Sequence, residues 1–309
     1  MRVVIAICII CSLNFSAHSK ERLKVVASFS ILADFAENVG GEFVSVTSLV
    51  GRDGDTHNFQ PKPAHAIALT KADIVLINGL ALEGFLKRLV GASGASDKIV
   101  KASQGGMFLG IDPHEVSAHG HKHGSVKHAS TESVMDPHAW QSVRNALIYV
   151  KNIEIAFCRS DPANCREYQR NGAAYQLDLK NLDSEIRTML EEIPANRRNI
   201  MTSHAAFNYF GQDYGLNFFA PQGRSANADT SARAMATLIR QIRRNNISAL
   251  FLENVSNSRL LDQIARETGL KVQGRLYSDA LSSPAGDAPT YIQMMRYNIQ
   301  TIRNAILAP

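Results

Sequence analysis

Residues 73–77 read Asp-Ile-Val-Leu-Ile, a run that is apolar without interruption after its first residue. A strand with one solvent-facing side alternates apolar and polar residues, whereas a strand of a parallel sheet is covered by helices on both faces. This run therefore predicts a buried strand in a parallel α/β sheet.

The segments around this run alternate between strand and helix patterns. Residues 23–29 and 43–50 are rich in β-branched residues and predict strands, while residues 31–39 and 63–70 predict helices. The second half repeats the theme, with predicted strands at 199–202, 249–252 and 272–277 and predicted helices at 205–214, 232–245 and 258–268. Each half therefore predicts an α/β lobe, one over residues 20–161 and the other over residues 194–309.

Residues 162–193, between the two halves, predict one long linking helix. Prolines stand at both ends, at Pro162 and Pro194, as they commonly do at helix boundaries. Apolar residues recur between them at Leu177, Leu179, Leu182, Ile186 and Leu190. A helix of about thirty residues is about 45 Å long, enough for a rigid connection between two lobes. Two ordinary helices within one domain are the alternative.

Residues 1–19 have the order of a secretory signal peptide. Arg2 precedes an uncharged, mostly apolar run over residues 3–15, and the small residues Ala17 and Ser19 occupy the positions that a signal peptidase reads. The run is too short to span a bilayer, and a buried strand or an uncleaved anchor is the alternative. Cleavage would leave a soluble periplasmic protein that begins at about Lys20.

Charge and cysteine content narrow the function and the compartment. The 33 basic and 28 acidic residues are scattered, and no basic stripe with an aromatic platform accompanies them, so we expect no nucleic-acid binding. Cys158 and Cys165 are seven positions apart, with Pro162 between them. In an oxidising compartment this spacing predicts a local disulfide across a turn, and a zinc site is disfavoured because no second cysteine pair exists.

Residues 112–133 contain half of the ten histidines of the chain and few apolar residues. These histidines are His114, His119, His121, His123 and His128. The composition predicts a mobile loop. Clustered neutral imidazoles bind zinc and copper without fixed geometry, so an auxiliary metal-scavenging loop is one hypothesis and an indifferent solvated linker is the other.

Three of the remaining histidines lie at the ends of predicted elements. His57 precedes the helix at 63–70, His138 stands where a loop leads into a helix, and His204 follows the strand at 199–202. Asp279 follows the last predicted strand and is well placed to join them. Ligand-binding groups gather at the carboxyl ends of parallel strands, which makes these side chains a candidate metal site. Any one histidine alone is more often an ordinary surface or core residue.

Six short motifs together resemble the zinc- and manganese-type solute-binding proteins of ABC importers, the ZnuA/TroA-like group. They are VVASFSI (25–31), DTHNFQPKP (55–63), DPHAW (136–140), TSHAAF (202–207), ENV (253–255) and YSDALS (277–282). Each motif is weak alone, but their order and spacing extend the resemblance over nearly the whole mature chain. Two departures, His65 for a usual acidic residue and Asn254 for a common proline, touch no proposed ligand.

The resemblance implies two α/β lobes with parallel sheets, one long helix between them, and an ion in the cleft. It implies one metal-ligand role each for His57, His138, His204 and Asp279. Three imidazoles and a carboxylate suit tetrahedral Zn²⁺. The manganese-type members often have a carboxylate at the third position, so His204 favours zinc as the bound ion over manganese.

The carboxylates of Asp55, Asp136 and Glu253 are candidates for orienting the imidazole N–H groups. Helix capping or plain surface charge is the alternative for Asp55 and Asp136. The implied partner is the membrane permease of an ABC importer, with a periplasmic zinc chaperone as a further candidate, and we expect a monomer.

The competing classes are a secreted zinc hydrolase and an exported adhesin or metal chaperone with the same site. Three histidines with an open fourth position form a catalytic arrangement. Against a hydrolase, the chain lacks HExxH and a G-x-S-x-G nucleophile motif, and Asp279 would close the fourth position. The sequence therefore predicts no enzyme.

Overall fold

The structure, a computed structural model, describes residues 21–110, 135–220, 236, 239–240, 242–255 and 259–308. The predicted signal peptide at 1–19 and the histidine-rich loop at 112–133 lie outside these residues, as does part of the predicted helix at 232–245. Within the described residues, no helix is long and apolar enough to cross a membrane.

Two four-stranded sheets form the framework of the described chain. The strands are β1 (Leu23–Phe29), β2 (Val44–Val50), β3 (Ile74–Ile77), β4 (Ile99–Lys101), β5 (Asn199–Met201), β6 (Asn217–Phe219), β7 (Ala249–Glu253) and β8 (Val272–Leu276). The strand orders are β2-β1-β3-β4 and β6-β5-β7-β8, and every pairing is parallel. The run at 73–77 becomes β3, whose four residues are all buried between β1 and β4. The predicted parallel α/β class is confirmed.

Helices cover the faces of both sheets. They are α1 (Ser30–Gly40), α2 (Pro63–Lys71), α3 (Leu86–Ser93), α4 (Val143–Ser160), α5 (Cys165–Glu191), α6 (Asn208–Tyr214), α7 (Arg259–Thr268) and α8 (Tyr291–Leu307). The first of them follows β1 without a loop and ends where Gly41 adopts a positive φ of 54°, a conformation that costs glycine little.

The helix between the lobes, α5, has 27 residues and is therefore about 40 Å long. A 3₁₀ turn over Pro162–Asn164 precedes it. Its buried face includes Tyr175, Leu179 and Leu182, at spacings of four and three residues, whereas Leu177 lies off this stripe and is 59% exposed. The buried face packs against α1 and α4 of the first lobe and against α8 of the second. One helix therefore contacts both lobes.

A disulfide joins the end of α4 to the beginning of α5. The sulfur atoms of Cys158 and Cys165 are 2.08 Å apart, and the two Cα atoms are 4.4 Å apart. The bridge fixes the turn between the two helices, as the spacing of the cysteines predicts.

Buried apolar residues of both lobes, α5 and α8 form one continuous core, which includes Phe35, Tyr175 and Tyr291. Aromatic contacts connect α1, α5 and α8, since the ring centroid of Phe35 lies 4.8 Å from that of Tyr291 and 6.2 Å from that of Tyr175. A smaller cluster around Leu250, Leu261 and Ile264 lies between β7 and α7. The two lobes are therefore packed together across a shared core.

Several elements differ from their sequence-based bounds. The helix predicted over 205–214 begins at Asn208, because residues 204–207 form the loop that carries His204. The sequence predicts a helix after His138 without giving its bounds, which is α4, and it assigns no element to β4, β6, α3 or α8. The two strands have only three residues each, too few for a periodic pattern to emerge.

Candidate metal centre

Four side chains meet at the facing carboxyl ends of the two sheets. His57 lies in the loop after β2 and His138 in the segment after β4, while His204 follows β5 and Asp279 follows β8. In parallel sheets these loops all leave from the same edge, so two sheets that face each other bring distant residues together. Two of the side chains come from each lobe.

The ligand atoms of this cluster all lie within 4.8 Å of one another. Nε2 of His57 lies 3.2 Å from Nε2 of His138 and 3.4 Å from Oδ2 of Asp279. The same carboxylate oxygen lies 3.1 Å from Nε2 of His204, and Oδ1 lies 3.7 Å from Nε2 of His138. A tetrahedral ion at 2.0–2.1 Å from each ligand requires ligand–ligand edges of about 3.3 Å. These separations fit one shared ion.

Three of the four side chains in this cluster are inaccessible to solvent. His138, His204 and Asp279 are fully buried, whereas the side chain of His57 retains 13% of its exposure. Oδ1 of Asp279 is buried without a hydrogen-bond partner among the described residues. Because a buried polar atom without a partner is costly, this oxygen is suited to a bound cation.

Asp136 holds the imidazole of His138 from behind. Its Oδ1 lies 2.7 Å from Nδ1 of His138 and accepts a hydrogen bond from the His138 backbone amide at 3.0 Å. Its Oδ2 accepts from the side-chain amide of Asn208, across the cleft. The contact between Asp136 and Nδ1 of His138 directs Nε2 of the same ring into the cluster. Burial alone would raise the pKa of Asp136, but the neighbouring His138 lowers it below the ordinary aspartate value.

Glu253, the last residue of β7, does the same for His204. Its Oε2 lies 2.6 Å from Nδ1 of His204, and its Oε1 accepts a hydrogen bond from the His204 backbone amide at 2.8 Å. Both residues are buried. This pairing leaves Nε2 of His204 to face Asp279.

Asp55 contacts the backbone of the His57 loop. Its Oδ1 accepts hydrogen bonds from the amides of His57 and Asn58, at 2.8 and 3.2 Å, and its Oδ2 accepts from the Asn58 side chain. These bonds shape the turn that carries His57. A role for Asp55 in orienting the His57 imidazole stays a prediction.

His204 and Asp279 titrate as a coupled, buried pair. Burial opposes charge on both, but the carboxylates of Glu253 and Asp279 outweigh it and hold the pKa of His204 well above the ordinary histidine value. The His204 and His138 imidazoles in turn hold the pKa of Asp279 well below the ordinary aspartate value. A divalent cation would therefore replace a proton held between negative groups.

Sequence reasoning brought these four residues together and missed some of their neighbours. Asn208 and Tyr209 both bind Asp136, the first through its side chain and the second by a 2.7 Å hydrogen bond to the carbonyl oxygen. Both lie close after His204 in the chain, but a single polar residue at the start of a helix gives no signal of a partner 72 positions away.

Comparison with known proteins places the chain in a family. Residues 25–305 match the family model described as ZnuA, zinc-uptake complex component A, periplasmic. The chain belongs to this family. Its members are metal-binding, substrate-binding components of ABC importers rather than enzymes, so the hydrolase alternative is excluded and a membrane permease is the implied partner.

The relatives of this chain are named for several metals. It is 31% identical to the iron-binding protein YfeA of Yersinia pestis, over 94% of this chain and 88% of the relative. It is also 31% identical to the manganese-binding lipoprotein MntA of Bacillus subtilis, over 93% and 90% of the two chains. Binding of a metal ion is therefore common to these relatives, but the kind of metal differs among them.

Solved structures agree with this placement. The periplasmic zinc-binding protein TroA of Treponema pallidum has a TM-score of 0.80 at 27% identity, covering 93% of this chain and 99% of its own. An Mn-bound periplasmic metal-binding protein of Candidatus Liberibacter asiaticus has a TM-score of 0.77 at 29% identity, covering 93% and 100%.

Proposed function

We propose that the chain is a periplasmic zinc receptor, which binds one Zn²⁺ through His57, His138, His204 and Asp279 and delivers it to an ABC permease. The observation that carries this proposal is the donor set itself. Three imidazole nitrogens and one carboxylate oxygen, spaced for a tetrahedral ion, form the kind of site that zinc prefers. Asp136 and Glu253 fix two of the imidazoles as orienting carboxylates.

Manganese is the second candidate ion, and the names of the relatives favour it. Mn²⁺ prefers oxygen ligands and higher coordination numbers. Among the four proposed ligands only Asp279 supplies oxygen. A second carboxylate, that of Glu253, lies 2.6 Å from Nδ1 of His204, on the side of the ring away from the site. The net charge around the ion is therefore more negative than the four ligands alone would make it.

Affinity alone does not decide between these ions, because nearly every protein site binds zinc more tightly than manganese. Coordination geometry and transport are better tests. The five histidines of residues 112–133 are first replaced by glutamine, so that only the cleft is observed. We then expect one Co²⁺ per chain with the visible spectrum of a four-coordinate ion, displaced by one equivalent of Zn²⁺.

A ligand variant and a matched control complete this experiment. His204→Ala removes one ligand and is expected to weaken zinc binding by roughly two to three orders of magnitude. His65→Ala removes a histidine on α2 whose Nδ1 accepts a hydrogen bond from the Lys62 backbone amide, and this variant should bind zinc as the parent does. A six-coordinate Co²⁺ spectrum, or gene-dependent uptake of manganese but not zinc into cells, would contradict zinc as the cargo.

The histidine-rich loop has a separate proposed role. We propose that His114, His119, His121, His123 and His128 capture zinc weakly and pass it to the cleft. The described residues on either side of this segment, Gly110 and Met135, form an antiparallel bridge beside the Asp136–His138 segment. Replacing its histidines should then slow zinc loading at low metal concentration without changing the affinity of the cleft. Equal loading rates would exclude this role.

The remaining assignments follow from the same proposal. Residues 1–19 would direct export and be removed, and the mature protein would act as a monomer that docks on its permease. A periplasmic zinc chaperone is a further candidate partner. Mass spectrometry of the secreted protein tests the first of these, since we expect the mature chain to begin at about Lys20.

A further inference from the structure

Asp279 belongs to the second lobe, but the backbone around it makes hydrogen bonds to groups on both sides of the cleft. Up to Tyr277 the second lobe holds the chain. The side chain of Asn298, on α8, donates to the carbonyl oxygen of Tyr277 at 2.8 Å and accepts from its amide at 2.9 Å. The second-lobe residue Asn254 binds on either side of Asp279, because its side chain accepts from the Ser278 amide at 3.3 Å and donates to the Ala280 carbonyl oxygen at 3.1 Å. From the carbonyl oxygen of Ser278 onwards, groups of the first lobe bind this backbone as well.

Two side chains of the first lobe donate to that one carbonyl oxygen. Nε1 of Trp140 donates to the Ser278 oxygen at 2.9 Å, and Nε2 of Gln141 donates to it at 2.7 Å. All three residues are fully buried. A carbonyl oxygen has two lone pairs, and both are satisfied here in a site closed to water. The plane of the peptide that leads into Asp279 is therefore fixed by the first lobe.

These two donors lie in the turn that carries another ligand. Trp140 and Gln141 belong to the 3₁₀ turn Ala139–Gln141, directly after His138. Tyr291 completes the arrangement, because its hydroxyl donates to the Trp140 carbonyl oxygen at 2.7 Å. One short turn thus supports His138 on one side and grips the residue before Asp279 on the other.

The loop that carries His57 is bound to the same segment. The Asp53 amide donates to the Leu281 carbonyl oxygen at 2.8 Å, and Nη1 of Arg52 donates to that of Ser282 at 2.9 Å. Oγ of Ser30, at the start of α1, accepts from the Leu281 amide at 3.0 Å.

The backbone of His204 has a different set of partners. Within the described residues, its amide donates to Glu253, and its carbonyl oxygen accepts from Thr202 and Ala206. All of these are second-lobe groups. First-lobe groups and Asn254 together therefore hold the backbone around Asp279, whereas these partners of the His204 backbone all come from the second lobe.

We propose that Trp140 and Gln141 are positioning residues that attach Asp279 to the first lobe, so that His57, His138 and Asp279 form one pre-assembled set of three ligands. His204 then completes the site from the second lobe. This inference rests on the proposed function, since it takes Asp279 to be a metal ligand. It assigns a role in metal binding to two side chains that do not touch the ion.

A double-mutant cycle tests this role, again in the background without the five loop histidines. Gln141→Leu keeps the volume of the side chain and removes the donor. Groups that orient a ligand typically contribute 10- to 100-fold to metal affinity, so we expect a loss of about tenfold in zinc affinity. In a chain that already carries Asp279→Ala, the same substitution should change the residual affinity of the three histidines less than about twofold.

The comparison between the two backgrounds separates positioning from general loosening of the structure. A merely structural effect on the cleft would move His57 and His138 as well, and would lower affinity equally with and without Asp279. Glu185→Gln is the matched control. It breaks the 2.8 Å ion pair between α5 and Arg296 on α8, another inter-element contact, without touching residues 277–282, and should leave zinc affinity unchanged.

Trp140→Phe provides an independent second cycle, because it removes the other donor and keeps an aromatic ring near Phe29. If Gln141→Leu fails to fold, this cycle carries the test with the same expected pattern. Equal losses in both backgrounds, or no loss in either, would overturn the positioning role while zinc binding by the parent still stood. Failure of the parent to bind zinc, or an unchanged affinity in Asp279→Ala, would instead overturn the proposed function.

Discussion

At the scale of single residues, His204 is where opposing charges are concentrated. Its Nδ1 faces Glu253 and its Nε2 faces Asp279, at 2.6 and 3.1 Å, and all three side chains are buried. A proton on His204 is stabilised by both carboxylates, and a metal ion at Nε2 would take the place of that proton. The chemistry of the site is therefore an exchange of one cation for another.

Removing the charge behind His204 should weaken metal binding without removing a ligand. We expect Glu253→Gln to lower zinc affinity by about 10- to 100-fold, because the imidazole becomes a poorer donor and loses its fixed orientation. Competition with a chromophoric chelator measures the change, with Glu185→Gln as the control for loss of a carboxylate elsewhere. An affinity equal to that of the parent would show that the Glu253 contact does not support the ion.

Acidification should weaken metal binding from a higher pH than an ordinary histidine site would show. The pKa of His204 is raised above 6.5 by its carboxylate neighbours, and binding needs the unprotonated ring, so affinity falls as pH falls through that raised pKa. The pKa of Asp279 is lowered, so this ligand stays ionised over the same range. Zinc titrations between about pH 5.5 and 8.5 measure the effect. A pH-independent affinity would contradict displacement of a proton from His204.

The convergence of His57, His138, His204 and Asp279 could be predicted from the sequence, because the three histidines lie at the ends of predicted elements, Asp279 follows the last predicted strand, and the family resemblance implies one ligand role for each. The two hydrogen bonds that Trp140 and Gln141 donate to the Ser278 carbonyl oxygen could not be predicted. Their acceptor is a backbone oxygen, which every residue possesses, and their donors lie 138 and 137 positions away in the chain. No side-chain pattern records such a contact.

At the scale of elements, α5 connects the lobes and the disulfide fixes its beginning. Closing a loop between residues seven positions apart restricts the unfolded chain only modestly. We expect replacement of both Cys158 and Cys165 by alanine to lower the free energy of unfolding by a little under about 3 kcal/mol. Urea denaturation measures this loss. Zinc affinity should not change, and a weakened site would show that the turn between α4 and α5 also shapes the cleft.

Asp34 on α1 makes hydrogen bonds to α5 and α8, and its pKa lies in a pH range where stability can be measured. On α1, it accepts hydrogen bonds from the Tyr175 hydroxyl on α5 at 3.2 Å and from the Tyr291 amide on α8 at 3.0 Å. Burial raises its pKa to about 6. Since this exceeds the pKa of the unfolded chain, the contribution of Asp34 to stability is fully present below about pH 4 and is lost as pH rises to about 6.

Asp34→Asn isolates this contribution, because the amide can still accept both hydrogen bonds but does not titrate. We expect the difference in unfolding free energy between parent and variant to change by about 2 kcal/mol between pH 4 and pH 7, with the parent losing stability as pH rises. Urea denaturation of both proteins across this range provides the measurement. A constant difference would mean that Asp34 has an ordinary pKa.

The long helices carry a clearer sequence signal than the short strands. On α5, Tyr175, Leu179 and Leu182 follow helical spacing. A similar apolar stripe follows the N-cap residue Thr290 on α8, although sequence reasoning did not assign this helix. Segments of three residues, such as β4 and β6, form because their neighbours in the sheet supply the pairing. Tertiary contacts, and not local preference, decide such strands.

At the scale of the whole molecule, the two lobes are variations on one plan. Both sheets have the strand order second-first-third-fourth, and both direct their carboxyl ends to the same cleft. A shared core and the long α5 hold the lobes against each other, while the cleft supplies two ligands from each. Binding of one ion at that junction should therefore stabilise both lobes together, by mass action on the folded state.

The most direct test of a single shared ion is X-ray absorption spectroscopy of the protein loaded with one Zn²⁺, with the five loop histidines replaced by glutamine. The account predicts four light-atom ligands at about 2.0–2.1 Å, three of them with the multiple-scattering pattern of imidazole. His204→Ala should reduce the number of imidazole ligands to two. A first shell that contains sulfur, or one that keeps three imidazoles when His204 is absent, would contradict the convergence of these four side chains on one cation.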